Sequence, residues 1–200
     1  MDLEAIRMGR RRPIWRVFRG LVCLAATTLF AQPPLPHEGK PTEYEVKAAY
    51  LFNFAKFTRY PSSTEFPHHS NFDFCVLGRN DFNGRLEALT ANEQLNGLPE
   101  RATKVSSGVA ARSCGIVFIS ESESARVQQI LNELAGAPVL TVSDMPHFLE
   151  HGGMIGFQTT SSHVRFAVNL DAVTRANLSL SSELLKVAVR VKGMPKRGAQ

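Results

Sequence analysis

Cysteines, a pair of neighbouring histidines and a group of hydroxyl and acidic side chains are the residues of this 200-residue chain that could do chemistry. His68 and His69 could ligate a metal, but no Cys, Asp or Glu has the spacing that would complete a zinc site. Ser143, Asp144 and His147 have the residue types of a hydrolytic triad. Triad members usually come from separate elements, however, and helix capping accounts for the first two. Neither group therefore predicts a metal site or a catalytic site.

Short sequence motifs give no support for nucleotide, esterase or redox chemistry. Residues 152–156, GGMIG, hold three glycines, but they lead into a predicted strand rather than the helix of a phosphate-binding loop. No serine lies in a G-x-S-x-G motif, so the sequence does not predict the nucleophile elbow of an esterase. No C-x-x-C motif is present, so it does not predict a thioredoxin-like redox centre. The sequence thus predicts no catalytic residue, no metal and no cofactor, and a protein that is not an enzyme.

The basic character of the chain is concentrated at its N-terminus. Residues 1–31 supply +4 of the net charge of +5, through six arginines and two acidic residues. The remainder is close to neutral, which removes the argument for a nucleic-acid partner. The arginines precede an apolar run, LVCLAATTLFA, that suits a signal-peptide core and is too short to span a membrane as a helix. We therefore predict a cleavable signal peptide at 1–31, with an uncleaved anchor as the alternative.

Cleavage of the signal would leave two cysteines, Cys75 and Cys114, in a compartment that permits disulfides. A bond between them would close a loop of about 40 residues, and chain entropy gives this closure about 4 kcal/mol of stabilisation. Two separate buried thiols are the alternative. The exported location favours the disulfide.

The elements that must position these residues alternate between helix and strand. Residues 43–61, EYEVKAAYLFNFAKFTRYP, carry two adjacent apolar stripes at helical spacing, which predicts a central helix covered on more than one side. Residues 115–119 form an unbroken apolar run, which is typical of an interior parallel strand. Other predicted elements are strands at 72–77, 139–142, 154–158 and 164–170, a short helix containing Pro146, and a final helix at 181–191.

This order of elements predicts an α/β fold. We expect a single-domain sandwich in which a mixed, mainly parallel sheet carries helices on both faces. The domain is predicted to span 43–192, between a disordered lead-in at 32–42 and a flexible tail at 193–200.

Six segments of the sequence carry a more specific signal: VKAAYLFNFAKFTRYP at 46–61, FCVLG at 74–78, CGIVFIS at 114–120, GGMIGF at 152–157, VRFAVNL at 164–170 and LSLSSELLKVAVRV at 178–191. Together they resemble the YfiR family of small periplasmic regulators of membrane-bound diguanylate cyclases. The resemblance covers nearly all of the chain after the predicted signal.

The resemblance implies a periplasmic protein that binds the sensor region of an inner-membrane diguanylate cyclase, represses it and lowers cyclic-di-GMP signalling. It also implies homodimerisation and sequestration by an outer-membrane lipoprotein. Cys75 and Cys114 match a cysteine pair of the family. The second pair of some members has no counterpart around residues 149–156, so the resemblance does not extend to redox control.

The exit of the first helix is the predicted contact surface. Aromatic residues at such positions are anchors that protein interfaces favour, so Phe57, Tyr60 and Pro61 are the predicted partner-binding residues. Two alternative functions stay open from the sequence. They are a periplasmic small-molecule-binding module and a hydrolase whose site is dispersed along the chain.

Overall fold

The structure is a computed structural model that describes residues 40–61, 70–160 and 163–193. All of them belong to one compact unit that begins at Lys40. The predicted signal peptide, the lead-in up to residue 39, His68 and His69, and the tail from residue 194 lie outside the described residues. Among the helices within the described ranges, none combines the length and the apolar character that a membrane span needs.

Short helices and strands alternate along the described chain after one long N-terminal helix. The helices are α1 (Glu43–Lys56), α2 (Arg85–Thr90), α3 (Gly108–Ala111), a 3₁₀ helix (Glu121–Arg126), α4 (Val127–Glu133), α5 (Leu170–Arg175) and α6 (Ser182–Val187). The strands are β1 (Thr58–Arg59), β2 (Phe72–Leu77), β3 (Gln94–Leu95), β4 (Leu98–Val105), β5 (Ile116–Ile119), β6 (Leu140–Ser143), β7 (Ile155–Thr159), β8 (Val164–Asn169), β9 (Ser179–Leu180) and β10 (Arg190–Lys192).

A mixed sheet of eight strands, in the order β10-β8-β7-β6-β5-β2-β4-β3, organises the fold. Strands β4, β2, β5, β6 and β7 run parallel to one another. Strand β8 returns antiparallel to β7, as the predicted hairpin requires, and β10 lies parallel to β8. The predicted α/β fold with a mixed, mainly parallel sheet is therefore confirmed.

Both faces of this sheet are buried. Successive residues of a strand point to opposite sides, so β2 and β5 each contribute to two cores. Phe74 and Phe118 contribute to one core, which α1 covers together with α5 and α6. Cys75 and Ile119, their neighbours in β2 and β5, contribute to a second core under α4. The uninterrupted apolar sequence of β5 is explained by this burial on both faces.

The helix α1 is the largest single element on the first face. It begins with a capping box, in which Thr42 Oγ1 accepts a hydrogen bond from Glu45 N–H and a Glu45 carboxylate oxygen accepts one from Thr42 N–H. Its buried residues include Leu51 and Phe54, and the Phe54 ring packs edge-on against Phe166 with centroids 4.8 Å apart. The wide apolar stripe in the sequence matches this broad buried face.

Two sequence-based expectations about later segments are wrong. The predicted final helix ends at Val187, and Arg190–Lys192 form strand β10 beside β8. Alternating β-branched valines in this segment favour an extended chain once a strand is available for pairing. The predicted short helix at Pro146 is absent, and residues 145–152 form consecutive turns in which His147 has a φ of 58°.

Candidate partner-binding surface and the groups that position it

Phe57 presents its ring to solvent at the end of α1. Its side chain is 41% exposed. Its backbone is held on both sides, because its N–H donates to the Asn53 carbonyl at 2.9 Å and its carbonyl accepts from Ser181 N–H at 3.0 Å. The second bond continues the pairing of β1 with β9. The structure therefore places an exposed aromatic ring on a fixed backbone, as an interface anchor requires.

Tyr60 and Pro61, the other two predicted contact residues, are each half-buried. The Tyr60 ring packs edge-on against Phe72, with centroids 5.2 Å apart. Burial raises the pKa of the Tyr60 hydroxyl above its ordinary value. The three predicted residues thus have different surroundings: Phe57 is exposed, whereas Tyr60 and Pro61 are half-buried and the Tyr60 ring packs against Phe72.

Charged residues lie beside and beneath Phe57. Lys56 Nζ is 3.3 Å from a carboxylate oxygen of Glu93 and 3.9 Å from the centroid of the Phe52 ring. Glu100, in β4, donates its N–H to the Glu93 carbonyl at 2.9 Å, and its carboxylate is buried. Sequence patterns gave no sign of this burial, because a glutamate in an amphipathic strand usually faces solvent. We call Lys56, Phe57, Tyr60, Pro61 and Glu93 the α1-exit surface.

The opposite end of α1 is held by a buried charge cluster. Lys47, which is 2% exposed, has its Nζ 2.7 Å from Asp144 Oδ2 and 2.6 Å from Glu43 Oε1. The Tyr44 hydroxyl donates to Asp144 Oδ2 at 2.9 Å, and Glu121 N–H donates to Asp144 Oδ1 at 3.2 Å. Burial, and then the Asp144 carboxylate, raise the pKa of the Tyr44 hydroxyl. The cluster fixes the orientation of α1 on the sheet.

The short helix that Ser143 or Asp144 was predicted to cap is absent, and Asp144 instead accepts from the first N–H of the 3₁₀ helix. Ser143 does not resemble a nucleophile. Ser143 Oγ donates to the Ile119 carbonyl at 2.6 Å and accepts from Met145 N–H at 3.1 Å. Both interactions are with the backbone and stabilise the turn after β6. The geometry gives no support to a hydrolytic triad of Ser143, Asp144 and His147.

Two loops of the chain meet at the position where open α/β sheets usually bind ligands. Such ligands lie at the carboxyl ends of two neighbouring strands whose connections leave on opposite faces, which in this fold are β2 and β5. At that point Arg79 N–H donates to Ser122 Oγ at 3.0 Å. A Cβ atom on Gly78 would lie 2.6 Å from the same oxygen. The loops that follow β2 and β5 therefore contact each other at this position.

The two cysteines that the sequence pairs form a disulfide in the structure. Cys75 lies in β2 and Cys114 precedes β5, and their Cα atoms are 6.1 Å apart. Both are 1% exposed, within the second core. A bond at this depth links β2 to the segment that leads into β5 away from solvent, as a structural disulfide does.

Within residues 40–61, 70–160 and 163–193, no group of three or more His, Cys, Asp or Glu side chains could hold a metal ion.

Comparison with known proteins adds a family and a fold. A sequence model of the family described as YfiR/HmsC-like matches residues 44–189, well over half of the chain. One similar solved structure is a conserved domain protein from Vibrio cholerae O1 biovar El Tor, with a TM-score of 0.54 and 8% identity over 77% of this chain and 62% of that chain. Another is the ABC domain from Streptococcus pneumoniae in complex with L-Trp, with a TM-score of 0.52 and 10% identity over 72% of this chain and 60% of that chain.

The chain thus spans less than two thirds of the length of these two solved chains. At such identities the likeness shows the fold alone.

Proposed function

The chain belongs to the YfiR/HmsC-like family of periplasmic regulators of diguanylate cyclase signalling, and from this premise we propose that it binds the periplasmic sensor region of an inner-membrane diguanylate cyclase and represses the enzyme. Higher affinity for the inactive state of the cyclase would shift the balance of states and lower cyclic-di-GMP output. The family match over residues 44–189 is the observation that carries this proposal.

The α1-exit surface is the proposed contact with the cyclase. Phe57 supplies an apolar ring that the partner can bury, and its backbone bonds to Asn53 and Ser181 limit the ordering that binding would require. The Lys56–Glu93 pair beside it supplies a polar rim. Tyr60 and Pro61, which are half-buried, complete the proposed contact.

The remaining parts of the proposal follow the family and the sequence. Residues 1–31 act as the cleavable signal peptide and 32–42 as a lead-in to a domain at 43–192, with 193–200 as its tail. The mature chain is a homodimer in the periplasm. An outer-membrane lipoprotein sequesters it and so relieves repression of the cyclase.

Small-molecule binding is a second candidate function, because a cavity of about 440 Å³ lies between α4 and α5. Leu131, Met154 and Ala172 line it, with His151 and Arg175 also present. This volume falls within the usual range for ligand pockets. A rise in melting temperature of the purified chain with added L-Trp, the ligand in the S. pneumoniae structure of similar fold, would support this function. An unchanged melting temperature would count against L-Trp as a ligand.

The cyclase proposal is tested by the affinity of the purified, oxidised chain for the periplasmic sensor region of a membrane GGDEF protein from the same organism. Phe57→Ser should weaken binding at least about tenfold, because it removes an aromatic ring that the partner would bury in the complex. The melting temperature should stay unchanged, because the ring is exposed in the free chain. Val109→Ser is the matched control, since Val109 is 62% exposed and lies in α3 on the other face of the sheet. Full binding by folded Phe57→Ser would reject the surface, and absence of binding by the wild-type chain would reject the function.

A further inference from the structure

Glu100 is a buried carboxylate for which the described part of the chain supplies no hydrogen-bond partner. Its residue is 7% exposed, and within residues 40–61, 70–160 and 163–193 neither carboxylate oxygen has a donor at hydrogen-bond distance. It is the only described carboxylate in this situation. Buried polar groups in native proteins are nearly always paired, so this exception calls for a physical account. Burial raises the pKa of Glu100 above its ordinary value of 4.5, which favours the neutral acid.

Two charged groups face Glu100 from the elements around it. Lys56 comes from α1 and lowers its pKa, whereas Glu93 comes from the segment before β3 and raises it. Lys56 and Glu93 are themselves paired at 3.3 Å. The neighbouring pair of Arg101 and Asp73 lies on the opposite face of the sheet, because residues alternate along β4. Among the described residues, Lys56 is therefore the cation available to an ionised Glu100.

This carboxylate lies directly under the α1-exit surface. In the pairing of β2 with β4, Glu100 stands opposite Phe72, whose ring packs against Tyr60. Lys56, whose charge interacts with that of Glu100, immediately precedes Phe57. A change of charge on Glu100 thus acts on the residues on both sides of the proposed anchor.

We propose that Glu100 is a proton-binding residue that couples the α1-exit surface to periplasmic pH, an inference that rests on the proposed cyclase contact. When Glu100 carries a proton, it is neutral and Lys56 stays with Glu93. When the proton passes to solvent, the buried charge has no hydrogen-bond donor. It then attracts Lys56 away from Glu93 and weakens the packing beneath Phe57. Partner affinity falls as a result.

The direction of the pH effect follows from proton linkage. A group whose folded pKa is raised stabilises the folded state fully below its unfolded pKa, and this contribution is lost as pH rises through the folded pKa. For Glu100 both stability and partner affinity should therefore fall as pH rises above the ordinary glutamate range. One proton changes the affinity by at most about tenfold per pH unit.

The test compares the purified full-length mature chain with Glu100→Gln between about pH 5 and about pH 8, a window that lies above the ordinary glutamate pKa. Melting temperature and affinity for the cyclase sensor region are measured at each pH. Both should fall with rising pH in the wild-type chain. In Glu100→Gln, which stays neutral, both should remain near the low-pH wild-type value. Glu87→Gln, at an exposed position in α2, should keep the wild-type pH dependence.

Three outcomes would overturn the inference. The first is an identical pH dependence in the wild type and Glu100→Gln. The second is a Glu100→Gln protein that is destabilised at every pH. The third is an affinity that rises with pH in the wild type but not in Glu100→Gln. Such a result would mean that the partner supplies a cation to the ionised carboxylate. If the wild-type chain binds no sensor region, the proposed function and the coupling fail, and the melting temperatures still show whether Glu100 takes up the proton.

Discussion

Lys47 of α1 and Asp144, which follows β6, form a buried ion pair across 97 positions of the sequence, with Nζ 2.7 Å from Oδ2. Desolvation offsets most of the attraction in such a pair, so its net contribution to stability is small. A single unpaired charge at the same depth is costly. The pair therefore determines where α1 can lie on the sheet, and with it the position of Phe57 at the far end of the helix.

Replacing Lys47 by Met should lower the free energy of unfolding by about 3–5 kcal/mol, because Asp144 would lose its cation while still partly buried. Urea denaturation of the purified chain measures this change. The double variant Lys47→Met/Asp144→Asn should recover part of the loss, since no unpaired charge is left in the core. A single variant as stable as the wild type would show that the pair does not anchor α1.

Removal of the disulfide should cost up to about 4 kcal/mol, because Cys75 and Cys114 lie 39 positions apart and their bond restricts the unfolded chain. The variant Cys75→Ala/Cys114→Ala keeps the positions apolar, as their burial requires. Its denaturation midpoint should match that of the wild-type chain in reductant. Equal midpoints for the oxidised and reduced wild type would contradict a stabilising bond.

Gly78→Ala should be more destabilising than Gly97→Ala. Both glycines have positive φ, 96° and 81°, so both substitutions carry backbone strain of about 1–2 kcal/mol. At Gly78 the new methyl group would also collide with Ser122 and Glu123, whereas at Gly97 it would meet no atom within 4 Å. We expect an additional loss of about 1–3 kcal/mol at Gly78 from this overpacking, measured as the difference in unfolding free energy. Equal losses would mean that the loops after β2 and β5 can move apart.

The elements with strong local patterns were predictable from the sequence. The 3.6-residue periodicity before Pro61 predicts α1, and the apolar run at 115–119 predicts β5, since both patterns record burial along a continuous segment. The final segment was not predictable in this way. Its helical signal is real up to Val187, but β10 forms because β8 offers a strand for pairing, and local sequence does not contain that information.

The surroundings of the proposed site depend on similar long-range contacts. The sequence could place Phe57 at a helix exit, because Pro61 marks where the helix must have ended. It could not show that Tyr60 packs against Phe72, or that Glu100 lies buried opposite Phe72 in the neighbouring strand. These positions follow from the pairing of β2 with β4, which lie on either side of α2 and β3 in the sequence.

The concentration of cyclic-di-GMP in living cells tests the central claim most directly. Deletion of the gene should raise it, because a repressed cyclase would be released. Re-expression of the wild-type chain or of Val109→Ser should restore the low level, and Phe57→Ser at equal abundance should not. An unchanged cyclic-di-GMP concentration after deletion, in cells that express the cyclase, would contradict the account.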